Sequence, residues 1–194
     1  MRKYGYKWAV MAAVSLSAAV IFSGCAKTES DRTESVTETQ AGYRNDVSTE
    51  VLRDAAAEAL GENYFPNMDI DASLLESIYG ISPELYEEYT AQMPMINVNV
   101  DTLIILKAKE GKLEEAENAL KAYDEKMKAD TMQYPMNIGK IQAAQVKTFG
   151  DYTCYLLLGG DTAAVSEQGD EAVIAYCQEE NEKAASAIEE ALKN

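Results

Sequence analysis

The segment that decides the fold is MINVNVDTLIILKAK, residues 95–109. From Ile96 to Ala108 every second residue is apolar or threonine, whereas the intervening positions are polar at first and become apolar at Leu103 and Ile105. A period of two is typical of a β-strand, because successive side chains point to opposite faces of a sheet. The sequence therefore predicts one long strand, covered on one face throughout and on both faces in its second half.

Helical periodicity on both sides of this segment predicts the remaining elements. Apolar residues three and four apart predict three helices ahead of the strand, with Ser48 and Asp71 as capping residues and Pro83 at a first helical position. Downstream patterns predict a helix, two strands joined by the turn Gly150-Asp151, and a last helix. The predicted helices span about 48–60, 71–79, 83–93, 112–130 and 163–192, and the predicted strands span about 95–109, 141–149 and 152–158.

This order of elements indicates an α+β fold in which N-terminal helices precede a β-α-β-β-α unit. The unit has the ferredoxin-like pattern without its last strand. We therefore expect a three-stranded antiparallel sheet in the order 1-3-2, with the long strand at an edge. The length that follows the N-terminal segments suits one domain, residues 47–194.

The first 24 residues have the composition of a secretory signal peptide. Residues 1–7 carry three positive charges, and residues 8–22 are apolar or small without a charge. This apolar run is shorter than the ~20 residues that a membrane span requires. The following Phe22-Ser23-Gly24-Cys25 resembles the bacterial lipobox, whose cysteine receives lipid and becomes the first residue after cleavage. The alternative is an ordinary signal peptide with an incidental cysteine.

We therefore expect an exported lipoprotein, anchored through Cys25 at the outer face of the cytoplasmic membrane. Residues 26–46 are rich in Thr, Ser, Glu and Asp and contain a single valine, so they cannot bury enough apolar surface to offset the entropy of ordering. The segment 25–46 is predicted to be a lipidated, disordered tether between the membrane and the domain.

Composition excludes several function classes. The formal net charge is −16, and removal of residues 1–24 takes away three basic residues and no acid, which leaves −19. So acidic a surface repels phosphate backbones, and we expect no nucleic-acid partner. The chain has no histidine and only three cysteines, which excludes Ser-His-Asp and Cys-His catalysis and zinc sites with histidine or several cysteine ligands. We predict no metal site and no cofactor.

Several short motifs together resemble a known family. They are Glu62-Asn63-Tyr64, Pro66-Asn67-Met68, Ile78-Tyr79-Gly80-Ile81, Met93-Pro94-Met95, Val100-Asp101, Lys107-Ala108-Lys109-Glu110-Gly111-Lys112, Met132-Gln133-Tyr134-Pro135 and Gly150-Asp151-Tyr152. In this combination the stretch from about 48 to 160 resembles a family of clostridial and related Firmicutes lipoproteins known as a domain of unknown function, number 4358. The resemblance brings no established activity. It implies an accessory role in cell-envelope modification, at the level of surface polysaccharide.

Six polar side chains are candidates for a binding surface. They are Asn97, Asn99 and Asp101 on one face of the predicted strand, and Gln133, Tyr134 and Asn137 on a loop near its end. On an open edge strand, such groups could hydrogen-bond a glycan or an incoming peptide strand. The alternative is an ordinary solvated strand face.

Sulfur-containing residues cluster in the same parts of the sequence. Met93, Met95, Met132 and Met136 flank the candidate loops and are interpreted as core filler rather than as an adaptable binding surface. Cys154 and Cys177 lie on the apolar faces of the last strand and the last helix, so we expect both to face the core. Export permits a disulfide between them, but a domain of this size does not need one, and two thiols are the favoured state.

Two functions of different class remain open. The first is a non-catalytic binding or accessory module that holds an envelope protein or glycan. The second is a carboxylate-dependent envelope hydrolase or transferase. No catalytic residue is assigned, because most acids alternate with lysines in the pattern of a solvated helix face. Two buried carboxylates facing each other in a cleft would favour the enzyme.

Replacement of Cys25 tests the lipid anchor. Cys25→Ser removes the thiol that accepts the lipid, so we expect uncleaved or shed protein that leaves the detergent phase of a Triton X-114 separation. Unchanged partitioning of the variant into detergent would contradict lipidation at this residue.

Overall fold

The long apolar strand lies in the middle of a five-stranded antiparallel sheet. The computed structural model describes residues 42–96 and 98–193, so Cys25, most of the tether and Asn97 lie outside the described residues. The strands pair in the order β1-β2-β3-β5-β4, and every pairing is antiparallel. Their bounds are β1 Met68–Asp69, β2 Tyr86–Met93, β3 Thr102–Ala108, β4 Gln145–Phe149 and β5 Tyr152–Leu157.

Six α-helices surround this sheet in the described part of the chain. Ser48 and Asp71 cap the first two helices through their side chains, as the sequence predicted. None of the helices in the described part of the chain combines the length and hydropathy that a membrane span requires. The helices are α1 Thr49–Leu60, α2 Ala72–Ser77, α3 Leu113–Ala129, α4 Pro135–Ala143, α5 Ala163–Ser166 and α6 Asp170–Lys193.

Strand β3 is buried on both faces, and its alternation divides the core in two. Ile104 and Leu106 pack with residues of α2 and α3 on one face. Leu103 and Ile105 pack on the other face with residues of α1 and α6. The predicted second covered face is therefore confirmed, and it begins where the polar half of the sequence segment ends.

The sheet has five strands rather than the predicted three, because β1 and β2 extend it beyond β3. The predicted order of the last three strands is observed, but β3 pairs with β2 and is not at an edge. Helices α3 and α6 also lie on opposite faces of the sheet. The fold is α+β as predicted, whereas the ferredoxin-like unit with a three-stranded sheet is not matched.

The predicted helix over 83–93 is wrong, since this segment contains strand β2. The helix start predicted around Pro83 produces a single turn and no helix. The Ser82 hydroxyl accepts a hydrogen bond from the Glu84 amide, and the Ser82 carbonyl accepts one from the Leu85 amide. The pairing register shifts between Tyr86 and Glu88, as in a β-bulge. The shift places Tyr86 and Tyr89 against the same core. Their separation by three residues imitates helical periodicity.

Two further boundaries differ from those predicted. The segment predicted as a strand over 141–149 begins as the end of α4, and only Gln145–Phe149 is a strand. The predicted helix over 163–192 is divided into α5 and α6. Packing also starts before the predicted domain boundary: the Tyr43 ring contacts Phe149 at 5.9 Å, and the Arg44 amide donates to the Leu192 carbonyl at 2.8 Å.

The two cysteines of the domain are buried free thiols, as favoured from the sequence. Burial raises the pKa of Cys154 to about 12 and that of Cys177 to about 11. Both groups are therefore protonated and shielded at neutral pH.

A thiol titration checks this state. In a soluble chain carrying Cys25→Ser, we expect almost no reaction with a chromogenic disulfide reagent at pH 8 until denaturant is added. Two thiols per chain should then react. Rapid reaction of the folded chain, or no thiol in the denatured chain, would contradict the buried pair.

Candidate functional site

Three segments meet at the end of the sheet where β3 begins and β5 ends. Residues 98–101 lead into Thr102, which pairs with Leu157. The turn Gly159-Gly160 leaves β5 at the same end, and helix α4 packs beside both segments. The Asn137 side-chain amide donates to the Val98 carbonyl at 3.0 Å, which ties α4 to the loop.

A buried ion pair joins these three segments. The Lys140 Nζ lies 2.7 Å from the Asp101 Oδ1 and also donates to the Gly160 carbonyl at 2.7 Å. The Asp101 Oδ2 accepts the backbone N–H groups of Gly159 and Gly160 at 3.2 and 3.0 Å. The side chain of Asp101 is fully buried and that of Lys140 is 7 % exposed. Every charged oxygen of Asp101 therefore has a hydrogen-bond donor.

Burial and pairing oppose each other at Asp101. Burial raises the pKa of its carboxyl group, while the Lys140 charge and the two backbone donors act in the opposite direction. The Lys140 ammonium also lies 5.5 Å from the centre of the Phe65 ring, whose face attracts a cation. Lys140 is thus held by charge, hydrogen bonding and aromatic contact together.

The two glycines after β5 are required by this arrangement. A Cβ atom at Gly159 would lie 2.6 Å from the Lys140 Cγ and 2.9 Å from the Cys177 Sγ. Gly160 has a φ of +56°, and a Cβ atom there would lie 2.7 Å from the Asn63 Cβ. Only residues without a side chain let the backbone approach Asp101 and Lys140 this closely.

A cavity of about 350 Å³ opens above the ion pair. Its volume falls within the range of small-ligand sites. Polar side chains come from three separate segments, and Phe65, Val98 and Met136 supply the large apolar walls. The lining comprises Phe65, Val98, Asn99, Met136, Asn137, Lys140, Gly160, Asp161, Thr162, Ala163 and Ser166.

The structure brings three of the six candidate residues together at this cavity, although not on a strand. Asn99 and Asn137 line it, and Asp101 lies beneath it through its bond to Lys140. The prediction of a polar strand face was wrong, because β3 begins at Thr102 and residues before it form a loop. Asn99 accepts the Asp101 amide at 2.9 Å, which stabilises that loop.

The other three candidates are placed differently. Gln133 donates to Asp130 and lines a separate recess of about 90 Å³. Tyr134 precedes the first residue of α4 and is 58 % exposed. Asn97 lies outside the described residues. The second half of the predicted loop is thus the start of α4, which begins at Pro135.

Residues 95, 96 and 98, the segment 132–134 and the first half of α4 expose a group of large apolar side chains, which we call the apolar surface. The Asn137–Val98 hydrogen bond joins its two halves. Met132 and Met95 are 88 % and 70 % exposed, so the interpretation of the methionines as core filler was wrong for them and for Met136. Of these four methionines, Met93 alone packs against the core. The apolar surface comprises Met95, Ile96, Val98, Met132, Tyr134, Met136 and Ile138.

Comparison with known proteins identifies the family. A family model described as Domain of unknown function (DUF4358) matches residues 59–158. The chain belongs to the DUF4358 family. No curated protein and no solved structure matches it. The matched range includes Asp101 and Lys140, whereas Gly159, Gly160 and α6 follow it.

Sequence reasoning missed the ion pair of this DUF4358 domain. Lys140 looked like one of many surface lysines, and its partner is 39 positions away. Two weak signals were available: Lys140 lies in the otherwise uncharged segment 131–146, and the Gly159-Gly160 pair follows a strand. Neither signal by itself connects the lysine to Asp101.

The arrangement offers little acid–base chemistry. Among the described residues, the two buried carboxylates are Asp101 and Glu180. Both oxygens of Asp101 are occupied, and those of Glu180 bond Asn63 and Lys183. No group of three or more His, Cys, Asp or Glu side chains within 42–96 and 98–193 could hold a metal ion. The site can bind and orient a ligand through amide, hydroxyl and apolar contacts.

Removal of the lysine tests the role of the ion pair. Lys140→Met leaves the Asp101 charge buried without its partner, so we expect a loss of about 3–5 kcal/mol in the free energy of unfolding at pH 7. Without the lysine, burial raises the folded-state pKa of Asp101 further above its usual value. The stability of the variant is fully present below the unfolded-state pKa, near 3.8, and is lost as the pH rises through the folded-state pKa.

The difference from the native chain should therefore shrink as the pH is lowered from 7 towards 4, measured by urea unfolding of both chains at each pH. The double variant Lys140→Met with Asp101→Asn is the control, because it carries no buried charge and its deficit should not vary with pH. A pH-independent deficit in the single variant would show that Asp101 is not held as a buried anion.

Proposed function

We propose that this DUF4358 protein is an exported, lipid-anchored binding module that acts without catalysis at the outer face of the cytoplasmic membrane. The accessory role would be in cell-envelope modification, including that of surface polysaccharide, with an envelope protein or glycan as partner. The observation that carries the proposal is the cavity above the Lys140–Asp101 pair together with the exposed apolar surface around it.

The composition of this region favours binding. Seven large apolar side chains are exposed on two segments that the Asn137–Val98 hydrogen bond joins, and large apolar patches on soluble proteins commonly mark contact sites. Asn99 and Asn137 add hydrogen-bonding groups, and each is held in place by a bond to the backbone of the loop. A few fixed polar groups among mostly apolar walls are the usual composition of a small-ligand site.

The enzymatic alternative has less support. General acid–base catalysis needs a carboxyl group that can exchange a proton with the substrate. Asp101 is enclosed by Lys140 and two backbone donors, and the neighbouring thiol of Cys177 is kept protonated by its raised pKa. Asp161, which is exposed at the cavity mouth, accepts the Ala163 amide. Among the described residues, no buried carboxylate faces it to form a catalytic pair.

Site-specific photocrosslinking in the producing cell tests the proposal. A benzophenone amino acid at Met136 lies on the apolar surface, so we expect a covalent adduct of higher mass in the membrane fraction. The matched control carries the same group at Val51, which is 51 % exposed on α1.

The adduct at position 136 should be absent at position 51, and Cys25→Ser should release the protein from the membrane fraction. Equal adducts at both positions, or none at either, would contradict a specific binding surface there.

A further inference from the structure

We infer that the apolar surface receives an apolar segment of a second exported protein, with basic residues flanking that segment. The inference rests on the proposed function, because it names the partner of the same surface. It follows from the chemistry of the surface, from its position relative to the start of the domain, and from the charge around it.

The surface offers apolar contact rather than dense hydrogen bonding. Three of its seven side chains are methionines, which are unbranched and polarisable and can adapt to partner side chains of different shape. A glycan needs polar groups for its many hydroxyls, and the exposed methionine and isoleucine side chains provide none. The cavity beside Val98 and Met136 is large enough for an inserted apolar side chain.

Composition and position both argue against the chain's own tether as the occupant of this surface. The tether joins the domain at Tyr43, which packs on Phe149 beside the turn between β4 and β5. The apolar surface lies at the other end of the sheet, before Thr102, about 20 Å away along the seven residues of β3. Residues 26–46 also contain only one valine and no other large aliphatic side chain.

The same geometry argues against the lipid bilayer. With the anchor before Tyr43, the domain presents the apolar surface at the end remote from its point of attachment. The net charge of −19 that remains without residues 1–24 adds repulsion from anionic headgroups. Two copies of the domain would repel each other for the same reason.

The charges near the surface indicate the flanks of the partner. Asp130 is exposed and accepts the Met132 amide, and Asp161 is exposed at the cavity. Among the neighbouring lysines, Lys128 pairs with Asp124 and Lys140 with Asp101. An acidic rim around an apolar centre complements lysine or arginine on either side of an apolar segment.

A peptide-binding assay tests this inference. The probe is a fluorescent 18-residue amphipathic helix made of leucine and lysine, and the protein is the mature chain 25–194 with Cys25→Ser. We expect saturable binding by fluorescence anisotropy, weakened at least tenfold by Met132→Ser with Met136→Ser. The control Val51→Ser with Ile78→Ser removes two apolar side chains elsewhere, which are 51 % and 48 % exposed, and should bind normally.

Raising the salt concentration from 50 to 500 mM should weaken binding several-fold, because it screens the flanking charges. A matching leucine and glutamate peptide should not bind. Equal binding of both peptides would overturn the inference, as would unchanged binding by the methionine variant with its melting temperature preserved.

Two other occupants have distinct signatures, and either would overturn the inference. Binding to phosphatidylcholine vesicles that is lost in the methionine variant would assign the surface to the membrane. A dimer in sedimentation equilibrium that is lost in the same variant would assign it to a second copy. The peptide assay uses a chain without its anchor. If the peptide fails to bind but the photocrosslinked adduct at position 136 still forms, only the proposed chemistry of the partner is overturned. Loss of that adduct overturns the proposed function.

Discussion

The burial of β3 on both faces is the constraint on which the remaining structure depends. A strand with apolar residues at Leu103 and Ile105 as well as at Ile104 and Leu106 has no face that can contact water. It therefore needs strands on both sides to satisfy its backbone and helices on both faces to cover its side chains. Strands β2 and β5 pair with its backbone on either side. Helix α3 covers its side chains on one face, and α1 with α6 covers them on the other.

The Lys140–Asp101 pair fixes the segments at the end of the sheet where β3 begins. Desolvation of two charges offsets much of their attraction, so such a pair contributes more to a specific arrangement than to stability. Here it connects the residue before β3, helix α4 and the turn after β5 in a single network. The shape of the cavity follows from these contacts, because its floor and two of its walls belong to the connected segments.

At the end of the sheet where β3 begins, the domain thus combines polar side chains held in place with exposed side chains that can adapt. Asn99 and Asn137 are held by backbone bonds, whereas Met132 and Met136 extend into solvent beside them. Rigid polar groups set the position of a ligand, and flexible methionines tolerate differences in its surface. Tyr43, near the start of the described residues, packs beside the turn between β4 and β5, at the opposite end of β3.

Local patterns were sufficient for part of this description. The period of two in 95–109 predicts β3 and its second covered face, the capping residues predict the starts of α1 and α2, and strand parity places Cys154 in the core. The motifs also predict the DUF4358 family. Each of these depends on residues close together in sequence, where spacing translates directly into geometry.

Only the tertiary structure decided the features that depend on distant partners. The register shift in β2 gives its apolar residues a helix-like spacing, and the segment is a strand because it pairs with β3. Asp101 and Lys140 are 39 residues apart, and the weak local signals at Lys140 do not connect it to Asp101. Met95, Met132 and Met136 resembled core residues by type, but no element among the described residues covers them. Sequence determined which segments are apolar and periodic; packing determined which charges are buried and which apolar side chains remain outside.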